Sequence, residues 1–184
     1  STIVFMGLPG SGKGTQAKLL AETLGFERFS TGDRFRELRE GEGALADRVR
    51  AAYDSGLLFP DWFATYLFEN AMLNLSVEKG IVFDGYPRNL AQSQIFHETA
   101  EWLGREYKVV NLAVPQEEAL RRQIERAKVD HRPDSATEEQ IRIRFAEYDT
   151  CTAPMLEYFK ANGTLVEIDG TPSVEEIAAD IKAK

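Results

Sequence analysis

The sequence predicts an α/β fold with about five parallel strands flanked by helices. Short apolar runs recur along the chain, a stretch with helical spacing follows each of them, and glycines separate the first run from its helix. The chain has 184 residues, of which 43% are hydrophobic. That length allows one α/β domain with a substantial core and is too short for two full-sized domains.

The first strand is predicted at residues 2–6, an apolar run typical of a strand buried on both faces. The first helix is predicted at residues 13–24, where apolar residues recur at helical spacing and Gly25 stands at the C-cap position. Similar runs at residues 81–84, 109–114 and 164–168 also precede helical stretches, and residues 26–29 can add a short strand. In such a sheet, ligands collect beyond the carboxyl ends of the strands.

Two segments interrupt the alternation of strands and helices. Residues 31–75 are helical in pattern, with breaks at Gly41, Gly43, Gly56 and Pro60, which indicates a small helical insertion. We expect Thr31 or Asp33 to cap its first helix. Residues 126–137 form a polar loop, and the capping box at residues 137–140 predicts a helix that ends near Thr152, before Pro154.

Composition excludes several classes of function. The single cysteine cannot form an internal disulfide, and the two distant histidines predict no structural zinc site. A net charge of −8 with a pI near 4.9 and no lysine-rich run argues against nucleic acid as a partner. Without an apolar run of about 20 residues or a leader pattern, we expect a cytoplasmic protein that has no membrane partner.

The segment GLPGSGKGTQ, residues 7–16, stands between the first predicted strand and helix. Its backbone N–H groups and the helix N-terminus favour a phosphate chain, toward which Lys13 would extend. The alternative is a tight strand-to-helix turn without a ligand. Gly14 replaces the usual hydroxyl residue that binds magnesium, so we expect phosphate oxygens and water to hold Mg²⁺, with Thr15 touching phosphate. Asp84 is a candidate for contact through metal-bound water or, alternatively, a local cap.

Arginine outnumbers lysine and gathers near these motifs. Arg88 follows a strand end, Arg122 and Arg126 share one helix face, and Arg132 lies in the polar loop. Arg142 and Arg144 cannot share a face, and we expect Arg144 to face the ligand and Arg142 the solvent. Planar guanidinium groups bind phosphate oxygens, and phosphoryl transfer needs mainly positioning and charge stabilisation.

Five motifs in order resemble those of adenylate kinases: GLPGSGKGTQ, STGDRFR, LLFPD, DGYPRNLAQ, and RAKVDHRPD with the IRIRFAEY and TAP segments after it. The match extends from Ile3 to about Gly170. It implies a P-loop kinase fold with a core at residues 1–29, 60–125 and 137–184. It also implies an insertion for the nucleoside monophosphate at residues 30–59 and a short lid without zinc at residues 126–136.

The implied reaction transfers the γ-phosphoryl of Mg-ATP reversibly to AMP and gives two ADP. It serves adenine nucleotide homeostasis, and we expect the protein to be a monomer. The resemblance assigns Lys13, Arg88, Arg126, Arg132 and Arg144 to catalysis. It assigns ATP binding to Gly10, Ser11, Gly12, Lys13, Gly14, Thr15, Arg122, Arg126 and Pro172. It assigns AMP binding to Thr31, Arg36, Leu57, Leu58, Phe59, Gly85, Tyr86, Pro87, Arg88, Gln92, Arg132 and Arg144.

The chain departs from the family pattern at several positions. His131 replaces the glycine before the lid arginine, and Ser135 replaces the second residue of an Asp-Asp pair. Arg34 and Phe35 replace Met-Leu, and Phe59 replaces a smaller valine beside the acceptor base. These changes leave two alternatives open: a kinase of another monophosphate such as UMP or CMP, and a nucleotide-binding sensor without transfer activity. Gln92 favours adenine, because its amide can pair with the N6 and N1 edge.

Overall fold

A computed structural model describes residues 1–54, 59–128 and 137–184. The strands are β1 (Thr2–Gly7), β2 (Glu27–Ser30), β3 (Ile81–Asp84), β4 (Tyr107–Ala113) and β5 (Leu165–Asp169). The helices are α1 (Lys13–Leu24), α2 (Thr31–Glu40), α3 (Ala44–Asp54), α4 (Asp61–Asn74), α5 (Leu90–Trp102), α6 (Gln116–Ala127), α7 (Glu138–Ala161) and α8 (Val174–Ala183).

The five strands form one parallel sheet in the order β2-β3-β1-β4-β5, which confirms the predicted α/β class. Predicted strand limits differ from the observed ones by one or two residues. Because every strand runs the same way, the loop after β1 and the carboxyl end of β3 meet at one edge of the sheet. The register places Asp84 beside Phe5 of β1 and Ser30 of β2.

Alternate side chains of each strand feed two cores, one on each face of the sheet. Val4 and Phe83 belong to the core covered by α4, α5 and α7, and Phe5 and Val82 to the core covered by α1 and α8. The first core is rich in aromatic rings, which bury large areas. These two layers hold the carboxyl ends of the strands in fixed positions.

The range 31–75, predicted to be helical, contains α2, α3 and α4. A small separate core joins Phe35 of α2, Val49 of α3 and Phe63 of α4. Phe35 is stacked on Phe59, with ring centroids 3.9 Å apart. These helices therefore share a small core of their own, which Leu67 of α4 joins to the main core.

The prediction that α7 ends near Thr152 is wrong. The capping box of Thr137 and Gln140 is present, but the helix continues to Ala161 with Pro154 inside it. Proline removes one backbone hydrogen bond. The helix continues past Pro154 because Met155 and Phe159 are buried in the main core.

The N-cap of α2 also differs from the prediction. Ser30, the last residue of β2, accepts a hydrogen bond from the backbone N–H of Asp33 and is the cap. Thr31 is the first helical residue, and its hydroxyl is directed elsewhere. The cap of α1 by Gly25 in the left-handed conformation is confirmed. Across the described ranges, no helix is both long and apolar enough to cross a membrane.

Candidate active site

The loop between β1 and α1 is pressed against its neighbours so closely that side chains do not fit. A Cβ on Gly10 would lie 2.5 Å from the carbonyl oxygen of Ala119 in α6. A Cβ on Gly7 would lie 2.9 Å from the carbonyl oxygen of Leu112 in β4. Both glycines have positive φ, 93° at Gly10 and 146° at Gly7, which other residues rarely adopt. The backbone of the loop is therefore held in one shape by the core.

Ser11 supports this loop from inside. Its side chain is fully buried, its Oγ would lie 2.6 Å from a Cβ on Gly7, and its N–H donates to the carbonyl oxygen of Leu8 at 3.0 Å. In this arrangement the buried hydroxyl of Ser11 cannot make the predicted contact with ATP. Gly12 also has φ 93°, with open space around it, and Thr15 is exposed.

Lys13 begins α1 and is surrounded by charges from four other segments. Its Nζ donates to the carbonyl oxygen of Leu8 at 3.3 Å. Burial lowers its pKa to about 8; Asp84 acts to raise that pKa, while Arg144, Arg88 and Arg126 lower it further. Asp84 ends β3, Arg126 lies in the last turn of α6, Arg88 lies in the turn between β3 and α5, and Arg144 lies in the first half of α7. The fold thus brings three of the predicted catalytic arginines within electrostatic reach of Lys13.

Gly14 lies directly against the carboxylate of Asp84. A Cβ at Gly14 would be 3.2 Å from Asp84 Oδ2, closer than ordinary van der Waals contact. The residue that lacks the usual hydroxyl therefore faces a carboxylate at the end of β3. A carboxylate oxygen beside a phosphate loop suits Mg²⁺, which retains several waters and prefers oxygen ligands.

A second cluster lies beside this one, around the carbonyl oxygen of Gly85. The Thr31 hydroxyl donates to this oxygen at 3.0 Å and Arg88 Nε donates at 2.8 Å. Gly85 has φ 87°, so the turn after β3 favours glycine. The carbonyl joins the start of α2 to Arg88, two segments that the sequence assigns to the acceptor.

Gln92 is 2% exposed, and its amide orientation is set by its neighbours. Its Oε1 accepts from the backbone N–H of Arg88 at 2.8 Å, and its Nε2 faces Asp61 Oδ1 at 3.4 Å. Asn89 caps α5 by accepting from the N–H of Gln92 and donates to Asp61 Oδ2 at 2.7 Å. Nε2 also faces the carbonyl oxygen of Asp61 at 3.5 Å, so the second lone pair of Oε1 remains, and a ligand would have to replace one of these long contacts to accept from Nε2.

Tyr86 and Pro87 lie beneath the surface of the site. Tyr86 is 1% exposed, stacks on Phe68 at 4.5 Å, and donates to Thr65 Oγ1 at 3.2 Å. Its peptide bond to Pro87, which is also buried, is cis. Because both side chains are buried and the Tyr86 hydroxyl is bonded to Thr65, the phenol does not contact a ligand in this arrangement.

Arg36 is paired with an acidic neighbour on α2. It donates to Asp33 Oδ1, while Arg28 of β2 donates to Asp33 Oδ2. Partial burial raises the pKa of Asp33, but the hydrogen bonds from Arg36 and Arg28 outweigh it and hold that pKa below its usual value. Arg36 must exchange this carboxylate for phosphate to make its predicted AMP contact.

Arg122 anchors the loop that carries Pro172. Its guanidinium donates to Glu118 Oε1 at 2.7 Å and to the carbonyl oxygen of Gly170 at 2.9 Å. A further contact of 3.4 Å reaches the carbonyl oxygen of Thr171, next to exposed Pro172. Arg142 is exposed and paired with Glu138 at 2.7 Å, which agrees with its predicted position toward solvent.

Several predicted site residues lie outside the described residues. These are Leu57 and Leu58 on the acceptor side and Arg132 in the predicted lid, together with the departures His131 and Ser135. In the described segments, no group of three histidine, cysteine, aspartate or glutamate side chains converges on a metal position.

Sequence reasoning missed four residues whose hydrogen bonds orient the predicted site residues or their partners. Asn89, Asp61, Glu118 and Arg28 have contacts with Gln92, Arg122 or Asp33. Three signals were available: Asn89 three residues before Gln92, Glu118 four before Arg122, and Asp33 three before Arg36. No such signal exists for Asp61, whose partner Gln92 is 31 residues away, or for Arg28, which lies on a strand while its partner Asp33 lies on the following helix.

The model of the adenylate kinase family matches residues 5–164. An adenylate kinase of Thermobifida fusca is 39% identical over 176 residues, covering 95% of this chain and 93% of that protein. One from Thermus thermophilus is 37% identical over 182 residues, covering 98% and 95%. Adenylate kinase 1 of Synechocystis is 36% identical over 181 residues, covering 98% and 94%. The chain belongs to the adenylate kinase family.

Proposed function

We propose that the protein transfers the γ-phosphoryl group of ATP reversibly to AMP, giving two ADP. The observation that carries this proposal is the convergence of Arg88, Arg126 and Arg144 on Lys13, next to a separate cluster at Gly85. Three arginines and a lysine supply fixed positive charge where a phosphoryl group is transferred. An ATPase that uses water as acceptor has no need for the second cluster.

In this mechanism the backbone of Gly10 to Thr15 holds the phosphates of ATP and Lys13 reaches the β- and γ-phosphates. An oxygen of the AMP phosphate attacks the γ-phosphorus and the bond to the β,γ-bridging oxygen breaks. The attacking oxygen is already ionised near neutral pH, since the second pKa of a phosphate monoester is about 6. No general base is needed, and Arg88, Arg126 and Arg144 stabilise the charge of the transferred group.

Mg²⁺ fits the chemistry of this site. Asp84 Oδ2 lies over Gly14, where it would contact a metal-bound water, and the exposed Thr15 hydroxyl is nearby in sequence. When bound, the ion neutralises part of the charge of the phosphates. We place the remaining ligands on phosphate oxygens and water.

On the acceptor side, we assign the base of AMP to Gln92 and Phe59 and its phosphate to Arg36 and Arg88. Gln92 Nε2 can donate to the N1 of adenine, while its oxygen accepts from N6. Thr31 would act through the Gly85 carbonyl. Leu57, Leu58, Gly85 to Pro87 and Arg132 complete the proposed acceptor site, and Arg122 and Pro172 frame the adenine of ATP.

We further propose the division into core, insertion (residues 30–59) and lid (126–136), with both smaller parts closing to exclude water. We also propose that the protein is a monomer in the cytoplasm. Light scattering in solution checks this proposal, and a mass well above 20.7 kDa would contradict it.

An acceptor comparison tests the function. ATP is incubated with AMP, CMP, UMP or GMP and formation of the diphosphate is measured; AMP should be preferred at least about tenfold, because Gln92 matches adenine. Equal use of UMP or CMP would favour the alternative kinase, and binding without transfer would favour the sensor.

A pair of arginine variants tests the mechanism. Arg144→Ala should lower turnover by about a hundredfold or more, since it removes fixed charge beside Lys13. Arg142→Ala is the matched control on the same helix, because Arg142 is exposed and paired with Glu138. Equal effects in both variants would remove Arg144 from the proposed machinery.

A further inference from the structure

The carboxylate of Asp33 is shared by two arginines, one on each oxygen. Arg36 donates to Oδ1 from the same helix, and Arg28 donates to Oδ2 from the edge strand β2. The N–H of Asp33 is held by the cap Ser30 at 3.3 Å. One negative charge therefore sits between two positive charges, on a backbone position that the helix cap fixes.

AMP binding would require Arg36, but not Arg28, to break its contact with Asp33. Under the proposed function Arg36 turns from Asp33 to the acceptor phosphate. Asp33 would then lie as an unpaired carboxylate close to a phosphate dianion, and its side chain is only 32% exposed, which limits screening by water. Arg28 contacts the other oxygen, so its ion pair does not require Arg36 to stay.

We propose that Arg28 is a positioning residue for AMP binding, which keeps Asp33 neutralised so that Arg36 can leave it for the phosphate. This inference rests on the proposed function. By sharing the carboxylate, Arg28 also weakens the hold of Asp33 on Arg36. Both effects lower the free energy needed to move Arg36, and neither requires Arg28 to touch AMP.

Steady-state kinetics of Arg28→Gln test the proposal. The KM for AMP should rise about fivefold, the effect of removing one partly exposed ion pair, whereas kcat and the KM for ATP should remain within about twofold. Arg28→Lys should restore most of the lost affinity, because it keeps the charge. Arg34→Gln is the matched control. Arg34 also lies on α2, but its guanidinium pairs with Glu37 and not with the carboxylate of Asp33.

A double-mutant cycle separates this role from others. In an Asp33→Asn background, where no carboxylate must be neutralised, Arg28→Gln should leave the KM for AMP nearly unchanged. The same rise in both backgrounds would mean that Arg28 acts on AMP directly, and no rise in either would leave it without a role; both outcomes overturn the proposal. If the wild-type protein fails to phosphorylate AMP, the proposed function itself is wrong, independently of this cycle.

Discussion

Gly14 lies against the carboxylate of Asp84, beside the loop where we propose that Mg²⁺ binds with ATP. A serine at residue 14 would place its Cβ 3.2 Å from Asp84 Oδ2 and direct a hydroxyl at that carboxylate. We expect Gly14→Ser to lower kcat/KM about tenfold, because the hydroxyl displaces Asp84 from Lys13 and from its position over the loop.

Steady-state assays of Gly14→Ser and Gly14→Ala measure this effect, and the alanine variant reports the steric part alone. Thr15, which is exposed and adjacent, offers Thr15→Ser as a control that keeps a hydroxyl in the loop. A gain in activity for Gly14→Ser would mean that the missing hydroxyl is a defect of the site rather than a fit to Asp84.

Lys13 should make ATP binding depend on pH. Burial, together with the nearby arginines, lowers its pKa to about 8, so the free protein carries this charge below pH 8 and loses it above. The dissociation constant for ATP should therefore rise with pH, with a midpoint near 8. Calorimetric titrations between about pH 7 and 9.5 measure it. Lys13→Arg should flatten the profile, since arginine stays charged; a flat wild-type profile would contradict the assignment.

The hydrogen-bonding partners of the site residues were the hardest part to predict. Arg88 and Gln92 stood out because glycine, proline and an amide follow a strand end, yet the carbonyl of Gly85 that holds Thr31 and Arg88 depends on tertiary structure. Asp61 contacts Gln92 across 31 residues of sequence. Local patterns identify groups that bind ligands more readily than the groups that orient them.

For helix α7, local sequence patterns predict where the helix begins but not where it ends. Its start follows from the capping box of Thr137 and Gln140, which needs only four residues. Its end does not follow from Pro154, because Met155 and Phe159 are buried in the main core and outweigh one lost hydrogen bond. The strands were predictable to within two residues, because all but β2 contain several apolar residues; β2, with the sequence ERFS, has only Phe29.

The small core of the insertion contains two of the departures from the family pattern. Phe35 and Phe59 are stacked at 3.9 Å with an interplanar angle of 15°, so the two changes compensate each other. We expect Phe59→Val alone to destabilise the insertion and to raise the KM for AMP severalfold. Such ring pairs contribute about 0.5–1.5 kcal/mol beyond their buried area.

A cycle of Phe35→Leu, Phe59→Val and the double variant measures that coupling through urea unfolding and AMP kinetics. The double variant should be more stable than the sum of the single effects predicts. Trp62, which is 69% exposed on α4, offers Trp62→Phe as a control outside the stack. Additive effects would mean that the two phenylalanines act independently.

Over the whole molecule, charge is segregated. The chain has a net charge of −8, yet Lys13, Arg88, Arg126 and Arg144 influence one another at the carboxyl edge of the sheet. The cluster to which we assign phosphate binding is thus embedded in an acidic protein. We expect it to accept small anions that fit the loop, whereas the net charge disfavours a polyanion.

Burial of two tyrosines should set the alkaline limit of stability. Burial raises the pKa of Tyr86 and of Tyr148 to about 12, against about 10 in an unfolded chain. Above pH 10 the unfolded chain releases protons that the folded protein retains. The free energy of unfolding should therefore fall, by at most about 1.4 kcal/mol per pH unit for each tyrosine.

Lys13 acts in the opposite direction over a different interval. The pKa of Lys13 is about 8 in the folded protein and 10.5 in an unfolded chain. Between these pH values the unfolded chain binds one more proton than the folded protein, so the free energy of unfolding rises with pH there. Measurements above pH 10.5 therefore isolate the tyrosines. Urea unfolding of Tyr86→Phe and Tyr148→Phe should show a shallower decline than the wild type, whereas Tyr66→Phe, 55% exposed, should not. An unchanged decline in both buried variants would assign the alkaline limit to other groups.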